Sequence, residues 1–316
     1  MKIVFMGTPD FAAASLEAIL NAGYEVTAVV TQPDKPQGRS DKLIPSPVKR
    51  VALEHGLAVL QPERIKRPEE IEKLRQFPAD LYVVAAFGQI LSKEILDMPR
   101  LGCVNIHASL LPKYRGAAPI QWSILNGESE TGITIMQMGL GIDEGDILFQ
   151  SRVPILPTDT GDSLFDKLTK EGAKTIVEAI RLLEEGALTP VKQDETQATH
   201  VGKIDKAMGR LDFSRSAREL DRQIRALNSW PSSFTRYKNK QLKIWGAIPL
   251  CSDEIPDILT EMEPGGIVKV EKDAFYVQTG EGILKVTDVQ LEGKKRMAVR
   301  DFLLGIKLQA GEIFER

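Results

Sequence analysis

Over roughly the first 190 residues, short apolar runs alternate with amphipathic stretches. KIVFM (2–6) ends at Gly7 and leads into TPDFAAASLEAILNAG. There Phe11, Leu16, Ile19 and Leu20 recur at helical spacing before Gly23. EVTAVVT (25–31) predicts a second strand and AVLQP (58–62) a short third one. LYVVAAF (81–87) is apolar throughout, the pattern of a strand covered on both faces, and CVNIHA (103–108) is the next strand. Between them, Ser46-Pro47 offers an N-cap followed by proline at the first helical position. Residues 68–76 predict a charged helix and PIQWSILNG (119–127) a helix ending in glycine. GITIMQM (132–138) and DILFQSRVPI (146–155) are two further strands, and 161–185 is a long amphipathic helix.

Strands alternating with helices predict βαβ units. The expected fold class is therefore α/β, with a Rossmann-like, doubly wound, mostly parallel sheet occupying residues 1–189. TPVKQDETQATHVGKI (189–204) is polar and without period, so 190–206 is expected as a linker. Beyond it, SARELDRQIRALN (216–228) predicts a helix. FTRYKN, QLKIWGA, GGIVKVE, AFYVQTG and GILKVTDVQL then predict short strands separated by glycine turns. That spacing predicts a smaller, OB-like β-barrel domain over 207–316.

Charge changes this picture only locally. Residues 1–206 carry 23 Lys+Arg against 28 Asp+Glu, whereas 207–252 carry 9 against 3, a net of +6. An acidic front half joined to a basic segment points to a polyanionic partner for the back domain, unless the cations are a solvated face. Cys103 and Cys251 are the only cysteines. They offer no disulfide framework and no close-spaced ligand set, so no structural metal is expected, and a reducing cytoplasmic setting is. No apolar run approaches the ~20 residues of a membrane span, and MKIVFMGTPDF enters a glycine turn too early for a secretory signal.

The chemistry-bearing residues sit at strand ends. Asn105 and His107, two apart on one strand, project to the same face. Such a pair is either catalytic or a pair of satisfied polar groups. Ligands of doubly wound sheets bind beyond the carboxyl ends of the strands, where His107 falls and where Phe87-Gly88 is expected too. The first βα turn, GTPDF, lacks the GxGxxG pattern, and Asp10 puts negative charge where a pyrophosphate would lie, so dinucleotide binding is disfavoured. GLGIDEG (139–145) is glycine on both sides of Asp143, which suggests a tight loop aiming that carboxylate. Brought to His107, Asp143 would favour imidazolium, giving two donors for a developing oxyanion. With no serine or cysteine triad, no HExxH and no P-loop, the nucleophile is expected to come from a substrate, in an acyl transfer between two bound molecules.

These motifs resemble the folate-dependent formyltransferases over essentially the whole chain, and among them the branch acting on methionyl initiator tRNA. The resemblance is carried by GTPDFA (7–12), TQPDKPQGR…LIPSPVK (31–49), VVAAFGQIL (83–91), NIHASLLPKYRGAAPIQ (105–121), TGITIMQM (131–138), GIDEGD (141–146), QDET (193–196) and RALNSWP (225–231). Ala207-Met208 departs from the family's usual acidic residues. The resemblance implies formyl transfer from 10-formyltetrahydrofolate to the methionyl amine, with Asn105, His107 and Asp143 catalytic. Phe87, Gly88, Ser109, Leu110, Leu111 and Pro112 are implied at the folate, and Arg39 and Lys42 of the 32–44 loop at the tRNA, while the basic segment makes Arg222 and Arg225 candidates for phosphate contact. The chain is further expected to be a monomer, with no metal and no membrane association.

Overall fold

A computed structural model of the chain describes residues 1–36, 43–259 and 262–315. The chain divides into two compact units. One comprises Met1–Pro119, Glu130–Pro154 and Phe165–Val201; the other comprises Ile120–Ser129, Ile155–Leu164 and Gly202–Arg316.

The first unit is built on a seven-stranded sheet. Its strands are β1 (Lys2–Gly7), β2 (Glu25–Val30), β3 (Val59–Leu60), β4 (Leu81–Ala85), β5 (Cys103–His107), β6 (Glu130–Gln137) and β7 (Ile147–Pro154). The order across the sheet is β7-β6-β5-β4-β1-β2-β3. β1 to β5 are mutually parallel, β6 is antiparallel to β5, and β7 is antiparallel to β6. The order reverses between β1 and β4, where Gly7 pairs with Ala85, so the carboxyl ends of these strands form a topological switch point. Gly7 is required there: a Cβ would stand 2.6 Å from the Cβ of Ala12 and 2.9 Å from the Ala85 carbonyl oxygen. Every residue of β4 is buried, as its unbroken apolar run predicts. The helix Asp10–Asn21 covers the sheet with Phe11, Leu16 and Ile19, and Ser46 caps the helix Pro47–Glu54 by accepting the Lys49 N–H.

Residues 190–201, expected within a linker, are ordered against the first unit. Val191 bridges to Ile147, and His200–Val201 pair in parallel with Arg115–Gly116. Thr199 accepts the Tyr114 and Arg115 N–H groups through its hydroxyl and carbonyl, each at 2.8 Å.

The second unit carries β8 (Ser233–Tyr237), β9 (Lys240–Leu250), β10 (Ile267–Val270), β11 (Phe275–Gln278), β12 (Ile283–Leu291) and β13 (Met297–Ala298). All pairs are antiparallel, in the order β8-β9-β12-β11-β10 with β13 beside β12. The last residues close the two edges: Glu315 bridges to Arg236 on β8, and Ile313 bridges to Gly266 just before β10. Phe314 between them packs against Phe213, Tyr237 and Phe275, with ring centroids 5.8–6.0 Å apart. A closed antiparallel sheet leaves few unpaired edges. The helix Ala217–Ala226 lies on this core through Leu220 and Ile224 and starts with a capping box between Ser216 and Glu219. No described helix is long and apolar enough to cross a membrane.

Candidate active site

β5 ends at His107, and the residues beyond it turn back along 109–117. His107 is 6% exposed. Its Nε2 lies 2.9 Å from the Tyr114 carbonyl oxygen. A carbonyl only accepts, so Nε2 holds a proton and Nδ1 is the nitrogen left for chemistry. Asp143 Oδ2 stands 3.6 Å from Nδ1, ion-pair distance rather than a hydrogen bond. The same oxygen accepts the Gly116 N–H at 2.8 Å. Asn105 is half-buried two residues before His107, and its side chain makes no hydrogen bond among the described residues. The structure thus brings His107 and Asp143 together and puts Asn105 on the same strand face.

The loop carrying Asp143 is held tightly. Asp143 adopts φ +55°, a left-handed conformation that costs an L-residue of order 1 kcal/mol and must be fixed by its surroundings. At Gly145 a Cβ would fall 1.6 Å from the Gln137 carbonyl oxygen, so only glycine fits. The Gln193 amide donates to the Asp143 and Gly145 carbonyls at 2.8 and 2.7 Å. Its own oxygen accepts Arg115 Nε at 3.0 Å, and the Arg115 guanidinium makes a forked pair with Glu195 at 3.0 and 2.7 Å. Arg115, 1% exposed, is the largest fully buried side chain among the described residues. The hydrogen bonds to Glu195 push the Arg115 pKa further up, and the same bonds hold the Glu195 carboxyl below its ordinary range. Neither Arg115 nor Gln193 is evident from spacing. The available signal was QDET lying among polar residues with no period of their own.

The segment 109–112 divides by burial. Ser109 is fully buried and donates to the Lys113 carbonyl. Leu111 is buried, its N–H donated to Thr134 Oγ1 and its carbonyl accepting the Gln150 amide. Leu110 and Pro112 remain partly exposed. At the neighbouring strand end the Phe87 ring belongs to the core, and its carbonyl already accepts from Gln32 and Thr8. The exposed groups there are Ala86 and Gly88, both at positive φ.

Of the residues expected at the tRNA, Arg39 and Lys42 lie outside the described residues. Arg225 is committed within its own unit, paired with Asp221 at 2.9 Å and donating to the Asp159 carbonyl at 2.8 Å. Arg222 is half-buried, with no carboxylate partner among the described residues, and its guanidinium lies over Gly127. No group of three His, Cys, Asp or Glu side chains among the described residues could hold a metal.

Cys103 lies in β5 close to Asn105 but is 1% exposed, and burial pushes its thiol up to about 12. A thiol so raised is neither nucleophilic nor easily modified. In thiol titration of the native protein near pH 8, Cys251 is expected to react fast and Cys103 not at all. Cys103→Ala is expected to keep most of the protein's activity; a folded but inactive Cys103→Ala protein would contradict a mechanism without a covalent intermediate.

Two family models match the chain, and the first runs through 120–129 and 155–164, which the structure groups with the second unit. Residues 1–180 match the formyl transferase family model, and 203–307 match the model for the formyl transferase C-terminal domain. The methionyl-tRNA formyltransferase of Agathobacter rectalis is 50% identical over 314 residues, covering 99% of both chains. That of Bacillus subtilis is 48% identical over 313 residues, 99% of this chain and 97% of its own. The chain belongs to the formyl transferase family, and within it to the methionyl-tRNA formyltransferases. Among solved structures, the sugar 3N-formyl transferase WlaRD superposes with a TM-score of 0.66 at 21% identity, covering 93% of this chain and 99% of its own. HypX from Aquifex aeolicus in complex with tetrahydrofolic acid gives 0.63 at 16%, covering all of this chain and 51% of its own. At those identities the likeness is one of fold.

Proposed function

We propose that the protein transfers the formyl group of 10-formyltetrahydrofolate to the amino group of methionyl initiator tRNA, using Asn105, His107 and Asp143. The observation that carries the reading is the meeting of the His107 imidazole and the Asp143 carboxylate at 3.6 Å, on the strand face that also bears an Asn105 amide with no hydrogen bond among the described residues. The near-50% identity to methionyl-tRNA formyltransferases over both units supports the choice of acceptor.

The folate would sit against the exposed backbone at Ala86 and Gly88 and against Leu110 and Pro112. Ser109, Leu111 and Phe87 contribute by holding those loops in place. When bound, the folate supplies an electrophilic formyl carbon. The amine lone pair attacks that carbon, and the carbonyl π electrons move to oxygen. Asn105 and protonated His107 donate to this oxyanion, and Asp143 stabilises the imidazolium. Collapse breaks the bond to the folate nitrogen, which gains a proton as the attacking amine loses one. Aligned donors and two held reactants account for such a rate without a covalent enzyme intermediate.

The test is to incubate the protein with formyl-labelled folate and charged initiator tRNA. Label is expected on the methionyl amine. Label released as formate, or moved only to another amine, would overturn the reading.

A further inference from the structure

We infer that Gln193, held by Arg115 and Glu195, is a positioning residue for the Asp143 carboxylate. The inference rests on the catalytic role proposed above for Asp143.

Burying an arginine costs desolvation unless every donor it presents inside is used. Arg115 is 1% exposed, yet its fork partner Glu195 has a side chain 70% exposed. The pair therefore does not neutralise two buried charges. It fixes the guanidinium from the solvent side while Nε points inward to Gln193 Oε1 at 3.0 Å. With its oxygen taken, the Gln193 amide can present only its nitrogen to the Asp143 loop. That nitrogen bridges two carbonyls, those of Asp143 and Gly145, at 2.8 and 2.7 Å. The bridge clamps the backbone on both sides of Glu144 and holds Asp143 at φ +55°. The next residue after Arg115 completes the arrangement, since Gly116 N–H fixes Asp143 Oδ2 at 2.8 Å. The backbone of Asp143 and its carboxylate are thus set from one short stretch, 115–116, the first through Gln193 and the second directly. Displacing a catalytic group by about 1 Å can cost of order 10²-fold in rate, so a clamp on the backbone of Asp143 acts on turnover without touching substrate.

Gln193→Glu separates this from a merely structural role. It keeps the length of the side chain and an acceptor for Arg115, but replaces the donor with a second acceptor facing two carbonyls. The expected result is a fall in kcat of order 10²-fold, with KM for folate and for tRNA each within about twofold. In an Asp143→Asn background the same substitution should cost less than about threefold, because residues acting as a unit are not additive. A full, undiminished loss in that background, a loss confined to KM, or an unchanged kcat would each overturn the inference. If Gln193→Glu does not fold, as judged by thermal melting, Glu195→Gln decides. Its site is exposed, and a kcat-only loss that vanishes in Asp143→Asn supports the clamp, whereas no loss overturns it. The two readings fail differently. An Asp143→Asn protein with near-normal kcat removes the catalytic role itself, whereas a crippled Asp143→Asn beside a normal Gln193→Glu removes only the clamp.

Discussion

Alanine at His107 is expected to lower turnover by several powers of ten while leaving the fold intact. Loss of one oxyanion donor typically costs ~10²–10³, and loss of a general acid or base ~10²–10⁴. In the proposed mechanism His107 is an oxyanion donor, and any share in the proton transfer would add the second factor. Nε2 is anchored on the Tyr114 carbonyl, so the ring cannot turn, and Nδ1 faces Asp143. Asp143→Ala should produce a loss of similar size, because His107 then loses the carboxylate 3.6 Å from its Nδ1. Asn105→Ala should fall by ~10²–10³ as the second donor. The three effects should not add: once His107 is gone, removing Asp143 should cost little more. Single-turnover formyl transfer at saturating folate and tRNA reads these numbers directly, with circular dichroism to verify folding. A His107→Ala protein within tenfold of the parent rate would remove the histidine from the mechanism.

How far this site was legible follows from where its order originates. β1, β4 and β5 announce themselves because strands covered on both faces need apolar residues at every position, as in LYVVA. Asn105 and His107 stand out against that background as polar residues on an apolar strand, and Asp143 stands out because glycines bracket it. The stretch 190–201 is different. It carries no hydrophobic period because it is held by side chains and backbone of the 112–117 turn rather than by burial of an apolar face. Thr199, Gln193 and Glu195 each find partners about 80 residues away in sequence. A polar string of that kind looks the same whether it is a free linker or a strap. The barrel closure by 313–315 is hidden for a related reason, since the tail joins two strands that no local pattern connects. The helix Val299–Gly305 buries only Val299 and Phe302, too few positions to show a helical period.

The second large effect concerns salt. The segment 207–252, with its net charge of +6, predicts phosphate contacts in the back unit. Its cations are not equivalent. Arg215, Arg225 and Lys238 each have a carboxylate partner, on Glu219, Asp221 and Glu312. Arg218 and Lys240 are exposed without one among the described residues, and Lys243 lies over the Trp245 ring. A cation already paired must give up its carboxylate to meet a phosphate, so the unpaired ones are the candidates for holding tRNA. Each phosphate neutralised changes log K by ~0.7–0.9 per tenfold change in salt. For about four such contacts, raising salt from about 50 to about 200 mM should weaken tRNA binding roughly a hundredfold. The KM for folate should barely move. Replacing Arg218, Lys240 and Lys243 together by glutamine should cut the slope by about two to three units. Arg225→Gln should behave otherwise. Asp221, whose acid burial raises above its ordinary range, would lose the guanidinium that favours its charged form. The expected result is lost stability of roughly 1–3 kcal/mol, read as a lower Tm, with the salt slope unchanged. Measuring KM for tRNA at several salt concentrations in these variants decides the matter. A triple variant with the parent's slope would show that its three cations are a solvated surface and that the tRNA body is held elsewhere.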